Sequence, residues 1–274
     1  MTDSEQSARA VALESARAYA ETFDGRLAAA YLLGSLSYGG YSPAVSDIDL
    51  ALVLTDSREG DAAAFQATSE SLRERGALHR KVSAFWGSLP ALREGRDDGR
   101  FPAIDRLELA VHSELLFGDD VASQVARPST EEILLEGARF AVGVLATDEV
   151  VAEFREPRRL LKDLVWFTKA VLFPVRFLYT NRETTGRAAR NDEAIAWYLA
   201  QPEAPAAALV RLAERVRSGH PLDPAEADPL LAAGLLPLYR YYLDDQVPRL
   251  RAAGAPAELV TAFVRWRERL ATRS

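Results

Sequence analysis

The chain has 274 residues, 48% of them apolar and 27% charged, which is typical of a folded globular protein. It has no cysteine and only three histidines, so disulfides and thiolate metal sites are excluded and an imidazole-bound transition metal is disfavoured. The net charge of −7 is uneven: residues 1–125 hold 20 acids and 12 bases (net −8), whereas residues 126–274 hold 20 acids and 21 bases (net +1). An acidic first half disfavours nucleic acid and suits a cationic partner, unless the acids serve solubility alone.

Targeting signals are not expected. The first residues carry the acids Asp3 and Glu5 rather than a basic segment followed by an apolar block, so no signal peptide is predicted. The most apolar later run, residues 164–179, is interrupted by Lys169 and Arg176, which disfavours a membrane span. The sequence therefore predicts a cytoplasmic protein that does not contact a membrane.

Residues 1–125 predict a small mixed β-sheet flanked by helices. Apolar residues recur there at helical or strand spacing. The predicted elements are a helix over 4–23, strands over 26–33 and 47–54, a helix over 62–75 and a strand over 81–86. A polar, glycine- and proline-containing loop over 87–102 follows.

The segment after this loop is ambiguous. Leu107, Leu109 and Val111 alternate as in a strand, whereas Ile104, Leu107, Val111 and Leu115 fit one face of a helix. Both assignments therefore stay open.

Residues 126–274 predict an all-helical bundle. Ser129 and Glu132 have the spacing of a capping box, and Pro174 predicts a kink or break inside the most apolar helix. The predicted helices cover residues 129–146, 158–180, 191–199, 206–217, 224–242 and 256–271. The fold class is thus α+β, with two domains, residues 1–125 and residues 126–274.

The stretch LLGSLSYGGYSPAVSDIDLALVL, residues 32–54, carries the main functional motif. Gly34 and Ser35 follow the first strand, and Asp47 and Asp49 enter the second. Because side chains alternate along a strand, both aspartates are predicted to point to one face of the sheet. The apolar residues at the alternate positions, Ile48, Leu50, Leu52 and Leu54, are predicted to point to the other face, toward the core. Two such carboxylates repel each other unless a cation lies between them, and Mg²⁺ prefers oxygen ligands. A Gly-Ser turn supplies N–H groups and a hydroxyl for phosphate oxygens, so the set predicts phosphoryl or nucleotidyl transfer.

Gly34-Ser35, eleven intervening residues and Asp47-Ile48-Asp49 resemble the signature of the DNA polymerase β-like nucleotidyltransferases, nearest to the bacterial aminoglycoside-type enzymes. The resemblance implies that Gly34 and Ser35 hold the nucleotide phosphates and that Asp47 and Asp49 ligate Mg²⁺, in a two-metal site with ATP or another nucleoside triphosphate. It also implies a nucleotidyltransferase domain followed by a helical domain that binds and closes on the substrate. The alternative is a hairpin with two solvated aspartates.

The third acid of this family usually lies on a later strand, where the chain has Ser83 and no acid. Glu108 in RLELAVHSE is similar to the stretch that supplies this acid in streptomycin-type enzymes. On a strand, Glu108 is predicted to be a metal ligand or the catalytic base. On a helix it is predicted to lie on the surface, with Asp105 and Glu114 no better placed.

Basic residues in the second half are candidates for phosphate contacts. Arg176, Arg187 and Arg190 surround a Thr-Thr-Gly turn, a layout similar to the segment that meets the triphosphate in related enzymes. Arg190 is the predicted nucleotide-binding residue among them. Solvated helix ends are the alternative interpretation.

These features predict a magnesium-dependent enzyme that moves AMP from ATP onto a hydroxyl of a small cationic acceptor such as an aminoglycoside, conferring antibiotic resistance. Two alternatives stay open: a catalytically silent nucleotide-binding module, and a protein AMPylase of the antitoxin type. Nucleic acid is not an expected partner, because a polymerase would need extra basic surface.

Overall fold

A computed structural model of the chain describes residues 2–182 and 188–271. The chain divides into two compact units, residues 1–129 and residues 130–274. The first unit combines a sheet with helices, and the described part of the second is helical. The α+β fold class predicted from the sequence is confirmed.

The sheet of the first unit is mixed. Among the described residues its strands are β1 (Leu27–Leu32), β2 (Ile48–Leu54), β3 (Val82–Ser88) and β4 (Glu114–Gly118). Their order in the sheet is β3-β2-β1-β4. The β1 strand pairs antiparallel with both β2 and β4, and β2 pairs parallel with β3. Residues 32–54 therefore lie at the centre of the sheet, from the end of β1 through the whole of β2.

Helices cover both faces of this sheet. They are α1 (Asp3–Thr22), α2 (Gly34–Tyr38), α3 (Asp61–Glu74), α4 (Leu89–Arg93) and α5 (Ala103–His112). A capping box between Thr2 and Glu5 starts α1, because each side chain bonds the other's backbone N–H. Sequence periodicity predicted α1 and α3, whereas the one-turn helix α2 stands where a turn was expected.

Alternation along β2 separates two apolar clusters. Ile48 and Leu50 lie in the cluster formed with α1 and α3. Ala51 and Val53, on the face of Asp49, lie in a second cluster that includes Leu109 of α5. The predicted separation of Asp49 from the core holds only at the start of the strand, because α5 covers the same face further along.

The ambiguous segment forms both elements in turn. Residues 103–112 make α5, and residues 114–118 make β4, which pairs with β1 at the edge of the sheet. The alternation of Leu107, Leu109 and Val111 falls inside α5 and therefore does not mark a strand. Leu115, which the sequence assigned to the helical face, lies in β4.

The described part of the second unit consists of helices packed around an apolar core. Its described helices are α6 (Thr130–Leu145), α7 (Asp148–Arg155), α8 (Leu164–Arg182), α9 (Asn191–Leu199), α10 (Ala207–Arg217), α11 (Pro224–Ala252) and α12 (Ala257–Ala271). A 3₁₀ helix, Pro157–Lys162, precedes α8. None of the described helices is long and apolar enough to cross a membrane.

Of the kink or break predicted at Pro174, the break does not occur, since α8 continues through this residue. Proline lacks the N–H that would bond the carbonyl four residues earlier, which is that of Ala170. The hydroxyl of Tyr239 donates to this carbonyl oxygen at 2.8 Å instead. Burial raises the pKa of Tyr239 well above its ordinary value, so the hydroxyl keeps its proton and remains a donor. A side chain from α11 thus replaces the missing backbone bond.

This replacement predicts an energetic coupling between Tyr239 and Pro174. Tyr239→Phe leaves the buried Ala170 carbonyl without this donor, and we expect the free energy of unfolding to fall by about 1 to 2 kcal/mol. In a Pro174→Ala background the new N–H of residue 174 can bond the Ala170 carbonyl, so the same substitution should cost less. Urea unfolding of the two single variants and the double variant measures the difference. Equal losses in both backgrounds would contradict the coupling.

Candidate active site

The two aspartates lie at the start of the central strand β2. Asp47 directly precedes β2 and Asp49 is its second residue, and both are half-buried. In the parallel pairing with β3, the register partner of Asp49 is Ser83. Side chains of register partners share a face of the sheet, so the position on β3 beside Asp49 is a half-buried serine.

Gly34 follows β1 and packs directly against Asp49. Its φ is +64°, in the left-handed region that favours glycine, and a Cβ there would lie 2.5 Å from Asp49 Oδ2. The neighbouring Leu33 N–H donates to the carbonyl oxygen of Asp49 at 2.8 Å. Both the backbone conformation and the close approach of Asp49 therefore require glycine at this position.

Buried serines connect α2 to the loop that precedes β2. Ser35 Oγ donates to Ser46 Oγ at 3.2 Å, and Ser46 Oγ accepts from Ser42 N–H at 3.0 Å. All three residues are at least nine-tenths buried. Ser46 was not among the site residues predicted from the sequence, although its position beside Asp47 was the available signal. These bonds fix Ser35 relative to the segment that carries the aspartates.

Glu108 is brought to the same place by α5. Gly34 N–H donates to Glu108 Oε2 at 3.2 Å, and Glu108 is only 7% exposed. The expectation that a helical Glu108 would lie on the surface is therefore wrong. The face of α5 that carries Glu108 is covered, since Leu107 and Leu109 on either side of it are also buried. Gly34 thus contacts carboxylates from two different elements.

The local electrostatics favour a cation. Asp49 and Glu108 both approach Gly34, so two acidic side chains lie around one glycine. Nearby, burial and then the charge of Asp47 raise the pKa of Tyr41. A divalent cation beside the aspartates would offset this negative charge.

The arrangement fits a magnesium site formed by a pair of carboxylates. Within residues 2–182 and 188–271, no group of three or more acidic or histidine side chains is placed to hold a metal ion. Mg²⁺ commonly takes one or two protein carboxylates and completes its coordination with water and substrate phosphates. Asp47, directly before β2, and Asp49, which packs against Gly34, are the residues that would hold it.

The predicted phosphate-binding arginine belongs to the second unit. Arg190 precedes α9, and its guanidinium forms ion pairs with Asp192 at 3.0 Å and Glu193 at 3.8 Å. Arg176 is half-buried on α8. Arg187 and the Thr-Thr-Gly turn lie outside the described residues.

The chain was compared with known proteins. No protein-family model matches it, and no curated protein is similar to it in sequence. A crystal structure of spectinomycin adenyltransferase AAD(9) from Enterococcus faecialis, with ATP and spectinomycin, is similar in structure with a TM-score of 0.53 and 12% sequence identity. The similarity covers 94% of this chain and 99% of that chain. The chain therefore shares the fold of an adenyltransferase over most of its length.

Proposed function

We propose that this chain is a magnesium-dependent nucleotidyltransferase that moves AMP from ATP onto a hydroxyl group of a small acceptor. The observation that carries the proposal is the convergence of Asp49 and Glu108 on Gly34, a residue of the Gly-Ser motif. The fold shared with an adenyltransferase supports the same reaction class.

Each residue has a proposed role in this reaction. Asp47 and Asp49 hold magnesium, and Gly34 and Ser35 bind phosphate oxygens through an N–H group and a hydroxyl. Bound magnesium would neutralise the triphosphate and the charge that develops on the leaving pyrophosphate. Glu108, the proposed third acid, accepts the proton of the attacking hydroxyl through a carboxylate oxygen.

The chain is proposed to divide this work between two domains. Residues 1–125 would form the nucleotidyltransferase domain, and residues 126–274 the helical domain that binds and closes on the substrate. The role of Arg190 toward the triphosphate stays a prediction from the family resemblance.

A cationic acceptor is supported by charge. Residues 1–125 carry a net charge of −8, from 20 acids and 12 bases, and this field would attract an amine-bearing molecule. The similar adenyltransferase was crystallised with spectinomycin. An aminoglycoside-like acceptor is therefore the one to test first.

Incubation of the purified chain with ATP, magnesium and a panel of aminoglycosides and spectinomycin tests the proposal. We expect a mass increase of one adenylyl group on at least one acceptor, dependent on magnesium and abolished by EDTA. Mass spectrometry of the acceptor and release of pyrophosphate provide independent measurements. Failure to modify any acceptor would remove the aminoglycoside class, and failure to bind magnesium ATP would remove the reaction itself.

A catalytically silent nucleotide-binding module is the second candidate, favoured by Ser83. The strand position beside Asp49 carries a hydroxyl and no carboxylate, so the base must come from another element. A silent module would bind magnesium ATP in calorimetry and yet release no pyrophosphate with any acceptor. A control distinguishes this module from an enzyme whose acceptor is missing from the panel. The chain is incubated at high protein concentration with ATP and magnesium alone, where water can act as the acceptor. A silent module should release no pyrophosphate there either.

A further inference from the structure

Glu108 occupies the N–H group that the proposed function assigns to phosphate. Gly34 N–H donates to Glu108 Oε2 at 3.2 Å, in a buried environment from which bulk water is largely excluded. A carboxylate is an anion with oxygen acceptors, as a phosphate is, so both can accept from the same donor. The protein's own side chain thus takes the place of a ligand oxygen.

The two anions cannot use this donor together. A single N–H makes one strong, linear hydrogen bond, and a phosphate oxygen at Gly34 would lie against the Glu108 carboxylate. The Asp49 carboxylate is already close to Gly34, with Oδ2 only 2.5 Å from the position of an added Cβ. An arriving triphosphate therefore meets two negative groups and must displace the one that holds the N–H.

We propose that Glu108 is a displaceable competitor of the nucleotide. Without nucleotide, its carboxylate is held on Gly34 N–H. When a phosphate oxygen takes this N–H, one hydrogen bond replaces another, and the released carboxylate becomes available to accept the proton of the acceptor hydroxyl. This inference rests on the proposed function, and it implies that the base is freed only after the nucleotide has bound.

Loss of the Glu108 charge is expected to strengthen the binding of ATP. Glu108→Gln removes the charge that repels the triphosphate and weakens the bond to Gly34, since a neutral acceptor binds less strongly than a carboxylate. ATP should therefore bind the variant about tenfold more tightly than the wild type, the factor expected from losing one charge-assisted hydrogen bond. A purely structural Glu108 would leave ATP affinity unchanged or lower it.

Isothermal titration calorimetry of ATP binding in the presence of EDTA provides the test. Because no metal is then bound, a change in ATP affinity reports competition at Gly34 and not a role of Glu108 as a metal ligand. Glu94→Gln is the matched control, since it removes one exposed carboxylate from the same unit, where Glu94 pairs with Arg96. Glu108→Ala removes the competing acceptor altogether and should also bind ATP more tightly. Thermal unfolding of each variant establishes that it is folded.

Tighter ATP binding by both Glu108 variants, with the Glu94 control equal to the wild type, is the expected result. Equal or weaker binding by folded Glu108→Gln in EDTA overturns the inference. If the wild type still binds ATP with magnesium, the proposed function stands without it. If the wild type binds no ATP even with magnesium, the proposed function fails as well.

Discussion

Asp49→Asn is expected to lower the rate of adenylyl transfer by about a thousandfold while leaving the fold intact. A metal ion contributes several kcal/mol of charge stabilisation in such a reaction, which corresponds to roughly this factor. Asparagine has nearly the same shape as aspartate, and the backbone oxygen of Asp49 that accepts from Leu33 N–H is untouched. Pyrophosphate release at saturating ATP and magnesium measures the loss.

The control for this substitution is Asp119→Asn, which removes one negative charge from an exposed position of the same unit. Its rate should equal that of the wild type. The magnesium concentration that gives half-maximal binding of ATP should rise in Asp49→Asn alone. An Asp49→Asn variant with undiminished transfer would mean that the metal is held elsewhere.

Gly34→Ala is expected to lower transfer by about a hundredfold through displacement of Asp49. The added Cβ would lie 2.5 Å from Asp49 Oδ2, a contact that the carboxylate relieves by moving. Misplacement of a catalytic group by about 1 Å can cost this factor in rate. The left-handed φ of +64° adds backbone strain, which we expect to lower the free energy of unfolding by about 1 kcal/mol.

Gly25→Ala is the control that separates backbone strain from the contact between the added Cβ and Asp49. Gly25 has a φ of +76° in the same unit, but a Cβ there would meet nothing within 4 Å. Both alanine variants should therefore lose similar stability in urea unfolding, and only Gly34→Ala should lose transfer and magnesium-dependent ATP binding. Equal rates in the two variants would show that Asp49 need not occupy its observed position.

The motif between residues 32 and 54 could be located from sequence because its signals are local. Strand alternation, a glycine after one strand and two aspartates at the start of the next depend on neighbours along the chain. Serine at position 83 could be read in the same way, and its pairing with Asp49 follows from the parallel β2 and β3 strands.

Pro174 illustrates the opposite case. Local rules predict a kink or break at this residue, because proline cannot bond the carbonyl of Ala170. The compensating hydroxyl belongs to Tyr239, 69 positions away from Ala170 in the chain. The helix continues through the proline, and the bond to the Ala170 carbonyl comes from packing between helices.

The sequence by itself determined the α+β class and located the Gly-Ser and Asp-Ile-Asp motif, since both depend on spacing and on the alternation of side chains. Only the tertiary structure decided the position of Glu108. Periodicity left its segment ambiguous between helix and strand, and burial of a helical glutamate depends on which side of α5 packs against the sheet. That packing brings its carboxylate to Gly34 N–H, a contact between residues 74 positions apart that no local pattern encodes.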